Sequence, residues 1–101
     1  MSGIRIARTT GPEGGRYAAL VDGHECELTY RLDRAGGHPV MAIDRTYVDK
    51  SLSGRGVGLA LLERAVADAR DEGLLIDPRC SFVRAQMARR PEWSMCLARS
   101  L

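Results

Sequence analysis

Three glycines at alternate positions, Gly54, Gly56 and Gly58, lie between an apolar segment and an amphipathic segment. Glycine lets the backbone turn sharply and leaves main-chain N–H groups open to a bulky anion. The first turn of a following helix adds unpaired N–H donors and the positive end of the helix dipole. The segment from Ser53 to Ala60 therefore predicts a phosphate or pyrophosphate site that needs no metal. Its spacing is equally typical of a flexible loop with a tight helix–strand contact.

Cys80 is the second residue whose surroundings suggest chemistry. It follows a short apolar run and precedes a predicted helix, with Arg79 and Arg84 close in sequence, and a helix start and nearby cations both favour a thiolate. An unpaired cysteine is also often buried as a small apolar side chain, so both interpretations stay open. Cys26 and Cys96 lack such neighbours and are interpreted as core or spectator thiols. The three cysteines show none of the paired spacings typical of zinc or redox sites, and we predict no metal.

The first half of the sequence predicts antiparallel strands joined by short turns. Leu28, Tyr30 and Leu32 share one face of an alternating run, with polar residues on the other face. Asp22 and Gly23 are typical of the type I′ turn of a β-hairpin, because both positions of that turn adopt a positive φ. Three or four strands are predicted: a first run that starts at Ile4 and is ended by the turn at Gly11–Gly15, and the runs 16–21, 27–32 and 39–48.

The second half predicts a helix, a strand and a second helix. Apolar residues after Ser53 recur every three or four positions, as on one face of an amphipathic helix of about five turns that ends at Gly73. The apolar run Leu74–Ile76 then predicts a buried strand, parallel to the strand that enters the helix. Residues 80–90 form the second predicted helix, and 91–98 a helical turn anchored by Trp93. The predicted apolar face of the first helix consists of Leu59, Leu62, Val66 and Ala69.

The pattern Arg55-x-x-Gly58-x-Ala60 resembles the coenzyme A pyrophosphate signature of the GNAT superfamily of N-acetyltransferases. More specifically, the stretch from Tyr30 to Leu97 is similar to the small single-domain GNAT-like acetyltransferases, whose members are about this short. Several ordered motifs over about two thirds of the chain make this resemblance more specific than the glycines alone. These motifs are Thr46-Tyr47-Val48, Ala69-Arg70-x-x-Gly73, Pro78-x-Cys80-Ser81-Phe82-Val83 and Arg89-x-Pro91-Glu92.

The resemblance implies a GNAT-like α+β or α/β fold in one truncated domain over residues 1–101. Its mixed, mostly antiparallel sheet would carry a long phosphate-loop helix, a parallel strand after it and a C-terminal helix. Acetyl-CoA would lie in a V-shaped gap between the strand that ends at Val48 and the strand Leu74–Ile76, with its pantetheine amides paired to the backbone of Tyr47 and Val48. The pyrophosphate would lie on Arg55, Gly56, Val57, Gly58, Leu59 and Ala60. The arginines of the last third of the chain are either contacts of the 3′-phosphate or part of a solvated helix face, and they are Arg79, Arg84, Arg89 and Arg90.

For catalysis, the resemblance implies that Cys80 acts as an acyl-accepting nucleophile or as a proton relay. Arginine cannot act as a general base at neutral pH. Asp44, which a regular strand would place on the same face as Thr46, is a weak candidate for a base. The sequence departs from the family at three positions where relatives carry titratable side chains, and these positions are held here by Arg45, Gln86 and Arg90.

The resemblance thus implies an acetyl-CoA-dependent N-acetyltransferase that acts on a primary amine. Only the short segment from Gly11 to Gly15 joins the first two strands, so we expect an open acceptor side. An open site favours an exposed amine, such as a protein lysine or N-terminus, over an enclosed metabolite. The alternative is a non-catalytic module that binds acyl-CoA, which the three departures favour.

Charge and composition argue against other partners. The sequence has 15 Lys and Arg residues against 13 Asp and Glu, a net charge of +2, and its few aromatic side chains are scattered. Nucleic-acid binding proteins usually carry a dense basic face, so we expect no nucleic-acid partner. The N-terminus has no apolar signal-peptide core, and no run approaches the roughly 18 apolar residues of a membrane span. We expect a cytoplasmic protein.

Overall fold

A computed structural model describes residues 4–98, in which helices pack on one face of a five-stranded sheet. The first four strands are antiparallel neighbours, and the fifth pairs with the fourth in parallel after a helical crossover. This arrangement confirms the predicted mixed, mostly antiparallel fold. The elements are β1 (Ala7–Gly11), β2 (Gly14–Val21), β3 (His24–Ala35), β4 (His38–Tyr47), α1 (Val57–Asp71), β5 (Leu75–Pro78) and α2 (Ser81–Ala88), with 3₁₀ segments at Lys50–Leu52 and Pro91–Cys96.

Tight turns set the order of the antiparallel strands. Asp22 and Gly23 have φ angles of 49° and 79°, which confirms the predicted turn with two positive φ values between β2 and β3. The first strand begins at Ala7, later than the predicted start at Ile4, because its ladder with β2 runs only from Ala7 to Gly11. Ile4 and Ile6 precede this ladder and pack as half-buried side chains against the core.

Helix α1 ends as its sequence predicts. Gly73 adopts a φ of 73°, Leu74 N donates to Ala69 O at 2.8 Å, and Gly73 N donates to Arg70 O at 3.3 Å. This pair of hydrogen bonds is the Schellman arrangement, which satisfies carbonyls at the helix end. The predicted apolar face needs one correction: Leu59 is only half-buried, since it borders a cavity, whereas the sequence pattern left out Leu61, which is fully buried.

The core lies between the sheet and the helices. Tyr17, Leu28 and Ile43 contribute fully buried side chains from three neighbouring strands, and Trp93 anchors the C-terminal 3₁₀ segment as predicted. Leu32 is an exception among the residues predicted to share the buried face, because its side chain is 42% exposed. It lies beyond Arg31, the last β3 residue that pairs with β2, so it has fewer neighbours to cover it.

The predicted second helix is shorter than expected and is α2, with Cys80 at its N-cap. After the 3₁₀ segment the chain returns to the sheet, where Ala98 N donates to Ile76 O at 2.7 Å. Within residues 4–98, no helix is long and apolar enough to cross a membrane.

A polar cluster fastens α1 to the first strands. Asp68 Oδ2 accepts hydrogen bonds from Tyr17 Oη at 2.9 Å, from Arg64 Nε at 3.1 Å and from Arg8 Nη1 at 3.2 Å. Arg8 also donates to Tyr30 Oη at 2.9 Å and forms an ion pair with Glu72. The Asp68 side chain is only 19% exposed, so these donors compensate a carboxylate that has lost much of its water.

We expect Asp68→Asn to lower the free energy of unfolding by about 1–3 kcal/mol, because an amide NH₂ would face groups that are themselves donors. Asp71→Asn is a matched control on the exposed side of the same helix, and it should change stability by no more than about 0.5 kcal/mol. Urea denaturation of both variants measures the difference. Equal stabilities would show that the Asp68 cluster does not hold the helix.

Candidate active site

The two parallel strands separate after four residues. Val40–Ile43 of β4 pair with Leu75–Pro78 of β5, and Arg79 N then donates to Ile43 O at 3.0 Å. Within the described part of the chain, the end of β4 from Asp44 to Tyr47 has no strand partner on this side. The expected gap is therefore present, with one unpaired backbone edge along β4.

A bulge at Asp44 decides which side chains face this gap. Tyr30 lies opposite Ile43 and Thr29 lies opposite Arg45, so Asp44 is the extra residue of β4. Side chains before and after such a bulge no longer follow one alternation. Thr46 consequently lies on the helix side, opposite the buried Leu28, whereas the exposed Asp44 lies outside the ladder. The expectation that Asp44 and Thr46 share a face by simple alternation did not include this bulge.

A cavity of about 620 Å³ continues the gap toward the start of α1. Its walls come from the end of β4, the connection from residue 49 to 56, the first turn of α1, and the region of α2. Helix α2 contributes Phe82 and Gln86, and its C-cap residue Arg89 also lines the cavity. These positions are spaced by four and three residues and form one helix face, a periodicity that could have identified them from the sequence.

The loop before α1 has the geometry of an anion site. Gly54 and Gly56 adopt φ angles of 81° and 76°, which glycine favours over other residues. Gly56 is the helix N-cap, makes no side-chain capping bond, and is followed by a first turn without acidic residues. Its carbonyl accepts the first helical hydrogen bond, from Ala60 N at 3.0 Å. The N–H groups before Ala60 therefore have no partner within the helix and can serve an anion.

Gly58 serves packing as well as the loop. A Cβ at this position would lie 2.9 Å from Phe82 Cζ and 3.4 Å from Val48 Cγ2. Helix α1 can approach α2 and β4 this closely only because Gly58 has no side chain. The sequence left open an anion-binding loop and a tight packing contact, and the structure has features of both. Gly54 and Gly56 shape the loop, and Gly58 makes a tight helix contact.

Some predicted phosphate contacts have other partners. Arg55 forms an exposed ion pair with Asp22, and Arg84 Nη1 donates to the carbonyls of Arg79 at 3.0 Å and Pro78 at 3.3 Å. Tyr47 is 43% exposed. The predicted cofactor residues that line the cavity are Val48, Gly56, Val57, Gly58 and Leu59, and those that do not are Tyr47, Arg55, Ala60 and Arg84.

The C-terminal arginines differ in their partners. Arg79 pairs with Asp33 at 2.9 Å and Asp77 at 2.8 Å, and the guanidinium of Arg90 lies 4.9 Å from the centre of the Trp93 ring and 3.4 Å from a Glu63 oxygen. Within residues 4–98, Arg89 has no hydrogen-bond or ion-pair partner for its side chain, and it lines the cavity. Arg89 is thus the arginine of this group that is best placed for an anionic ligand.

Cys80 lies at the inner end of the gap. Its Sγ is 3.6 Å from Thr46 Oγ1, and the residue is the N-cap of α2 without a capping bond from its side chain. Cys26 and Cys96 are buried, as their interpretation as core thiols requires. Arg45 lies on the other face of the sheet, where its Nη1 donates to Glu27 Oε2 at 2.7 Å. Within residues 4–98, no cluster of histidine, cysteine and acidic residues could hold a metal ion.

The region that contains the candidate site matches a known protein family. The family model described as GCN5-related N-acetyl-transferase matches residues 16–96, which include the gap, the glycine loop and α2. The chain belongs to the GCN5-related N-acetyltransferase family. This match confirms the resemblance inferred from the motifs, and it assigns the chain to a family of acyltransferases. A search of curated proteins found no match.

Gly58→Ala tests the helix contact made by this glycine. Alanine is favoured over glycine in helices by up to about 1 kcal/mol, but here its Cβ would meet the Phe82 ring. We expect Gly58→Ala to lower the free energy of unfolding by about 1 kcal/mol in the wild-type background. In a Phe82→Ala background the same change should raise it, as measured by urea denaturation. The same effect in both backgrounds would contradict the helix contact.

Proposed function

We propose that this protein transfers an acetyl group from acetyl-CoA to a primary amine. The observation that carries the proposal is the continuity of the cavity with the strand gap. One end of this space has the uncapped N-terminus of α1, and the other has Thr46, whose Oγ1 lies 3.6 Å from the Sγ of Cys80. Cys80 itself does not line the cavity. This combination fits an extended ligand with phosphate groups at one end and a thioester at the other.

The unpaired edge of β4 is proposed to hold the pantetheine arm. The amides of the arm can pair with the backbone of Tyr47 and Val48 as an added strand would. The N–H groups from Gly56 to Leu59 would face the pyrophosphate, and the side chain of Arg89 would add a positive charge. These donors need no metal ion.

The chemical step is proposed to depend mainly on positioning. A backbone N–H on β4 would polarise the thioester carbonyl, and the amine would attack the carbonyl carbon with coenzyme A as the leaving thiol. Cys80 could take up the acetyl group or pass a proton to the departing sulfur, with Thr46 Oγ1 as its hydrogen-bond partner. Asp44 is exposed and lies outside the β3–β4 ladder, so it is the weaker candidate base.

The acceptor is proposed to be an exposed amine of a protein or peptide. Both helices pack in one core with the same face of the sheet, and the β1–β2 connection is only two residues long. The opposite face carries charged side chains such as Arg16, Glu27 and Arg45, and these form ion pairs with one another. A protein surface can approach such a face without displacing any element.

A non-catalytic acyl-CoA-binding module is the second candidate. Arg45, which stands where relatives have a histidine, forms its ion pair with Glu27 on the face away from the cavity. Its guanidinium stays protonated, so it offers no base to the reacting amine. Release of free thiol from acetyl-CoA with a panel of amines separates the two functions, since a binding module would bind the coenzyme but release none.

We expect Arg89→Gln to lower the affinity for coenzyme A about three- to tenfold at low salt, with a smaller effect at high salt. Arg84→Gln tests the contact predicted for Arg84 from the sequence, and Arg70→Gln on the exposed end of α1 is the control. Calorimetric titration measures all three. Adenosine 3′,5′-bisphosphate should also compete better than adenosine 5′-phosphate with wild type. A larger loss in Arg84→Gln than in Arg89→Gln would contradict the assignment of Arg89.

We expect bound coenzyme A to protect Cys80 from iodoacetamide, and Cys80→Ala to keep coenzyme affinity while losing turnover. Faster labelling of Cys80 than of Cys26 and Cys96 would follow from exposure alone, so protection is the informative measurement. Cys80→Ser retains a hydrogen-bonding group beside Thr46 but lacks a reactive thiol. Full turnover in both folded variants would exclude a covalent acyl-cysteine and leave direct attack of the amine on acetyl-CoA.

A further inference from the structure

The connection from β4 to α1 carries an acidic side chain at the site proposed for phosphates. Asp49 lines the same cavity as the glycine loop. Hydrogen bonds from the hydroxyl and the backbone N–H of Ser51 lower the pKa of its carboxyl, so the group is ionised near neutral pH. A negative charge here repels a polyanionic ligand and by itself lowers the affinity for it. The hydrogen bonds of Asp49 indicate what offsets this repulsion.

Asp49 caps the turn that follows β4. Its Oδ2 accepts hydrogen bonds from Ser51 N at 3.0 Å and from Ser51 Oγ at 2.6 Å, and its Oδ1 accepts one from Tyr47 Oη at 3.4 Å. Its main-chain carbonyl accepts a hydrogen bond from Leu52 N at 2.9 Å, which closes the 3₁₀ segment Lys50–Leu52. The side chain and the backbone of Asp49 therefore hold the same turn.

This turn leads directly into the glycine loop. Leu52 is only 2% exposed and packs in the core, and its carbonyl accepts a hydrogen bond from Arg55 N at 3.1 Å. Arg55 is followed by Gly56, the N-cap of α1. The direction in which the chain leaves Asp49 therefore sets where the glycine loop lies relative to the end of β4.

The turn between β2 and β3 contacts both ends of the same connection. His24 Nδ1 lies 3.6 Å from Asp49 Oδ2, and Asp22 forms an ion pair with Arg55. The side chains of both pairs are at least 30% exposed, and exposed ion pairs contribute little stability. The hydrogen bonds from Ser51 are therefore the main contacts that a substitution of Asp49 removes.

We propose that Asp49 is a positioning residue that holds the glycine loop in the conformation that binds the phosphates of coenzyme A, an inference that rests on the proposed function. The carboxylate acts through the capped turn. Its cap and its charge then have opposite effects on coenzyme affinity, because the cap fixes the loop whereas the charge repels the phosphates. Substitutions that separate these two properties change the affinity in opposite directions.

Asp49→Ala and Asp49→Asn make this separation, because both remove the negative charge but only asparagine keeps an oxygen that can accept from Ser51. We expect Asp49→Ala to lower the affinity for coenzyme A about three- to tenfold, and Asp49→Asn to raise it up to about threefold at low salt and less at high salt. Calorimetric titration of the full chain measures both. Asp71→Ala, which removes an exposed carboxylate at the C-terminal end of α1, is the control and should leave the affinity unchanged.

Ser51→Ala tests the cap from its donor side. This change removes the Oγ donor and keeps the backbone N–H, so we expect a smaller loss of coenzyme affinity than in Asp49→Ala. In an Asp49→Ala background the same change should have no further effect, because the acceptor is already absent. Urea denaturation of each variant establishes that the affinities are measured on folded protein.

Three results would overturn the role of Asp49 and leave the proposed function standing. A higher affinity in both Asp49 variants would show that only the charge matters. An equal loss in both would show that the charge, and not the cap, is required. Wild-type affinity in Asp49→Ala would show that the loop needs no cap. Wild-type protein that does not bind coenzyme A would instead overturn the proposed function together with this inference.

Discussion

The short parallel pairing of β4 with β5 is the constraint on which the rest of the structure depends. Parallel strands end at the same edge of a sheet, so α1 and α2, which follow these two strands, both begin at that edge. Because the ladder stops at Ile43 and Pro78, the two strand ends separate there and leave a space between the two helix starts. A longer ladder would close the gap, and a shorter one would detach β5 from the sheet.

Helix α1 has to meet two demands at its first turn. It must leave its N–H groups free, which the uncapped Gly56 allows, and it must pack closely against Phe82 of α2, which Gly58 allows. The C-terminal half of α1 is attached to the sheet, because Asp68 accepts hydrogen bonds from Tyr17 on β2 and Arg8 on β1. The helix is thus fastened at its C-terminal half and open at its N-terminus.

Ion pairs on the two faces decide which cations can reach a ligand. On the helix-free face, Arg16 and Arg45 form ion pairs with Glu27. Arg79 forms ion pairs with both Asp33 and Asp77. These arginines are engaged in the fold, although the sequence alone presents them as equivalent to any other positive charge. Among residues 4–98, the cationic side chains that line the cavity are Lys50 and Arg89, which come from segments far apart in the chain.

Local signals in the sequence were sufficient for most of the fold and for the glycine loop. The turn at Asp22 and Gly23, the end of α1 at Gly73 and the parallel strand after it follow from φ preferences and from hydrophobic periodicity, which depend on near neighbours in the chain. The family motifs span the same residues, so the acyltransferase family was also recognisable from the sequence.

Tertiary structure alone decided the bulge at Asp44, the 3.6 Å approach of Cys80 to Thr46 and the partners of the arginines. The physical reason is that these features depend on contacts between residues that are far apart in the sequence. A register shift depends on how β3 pairs with β4, and an ion pair depends on which charges packing brings within about 4 Å, a distance that separation in sequence does not encode. The sequence therefore determined where an acyl-CoA ligand would be expected, and the packed sheet decided which side chains could face it.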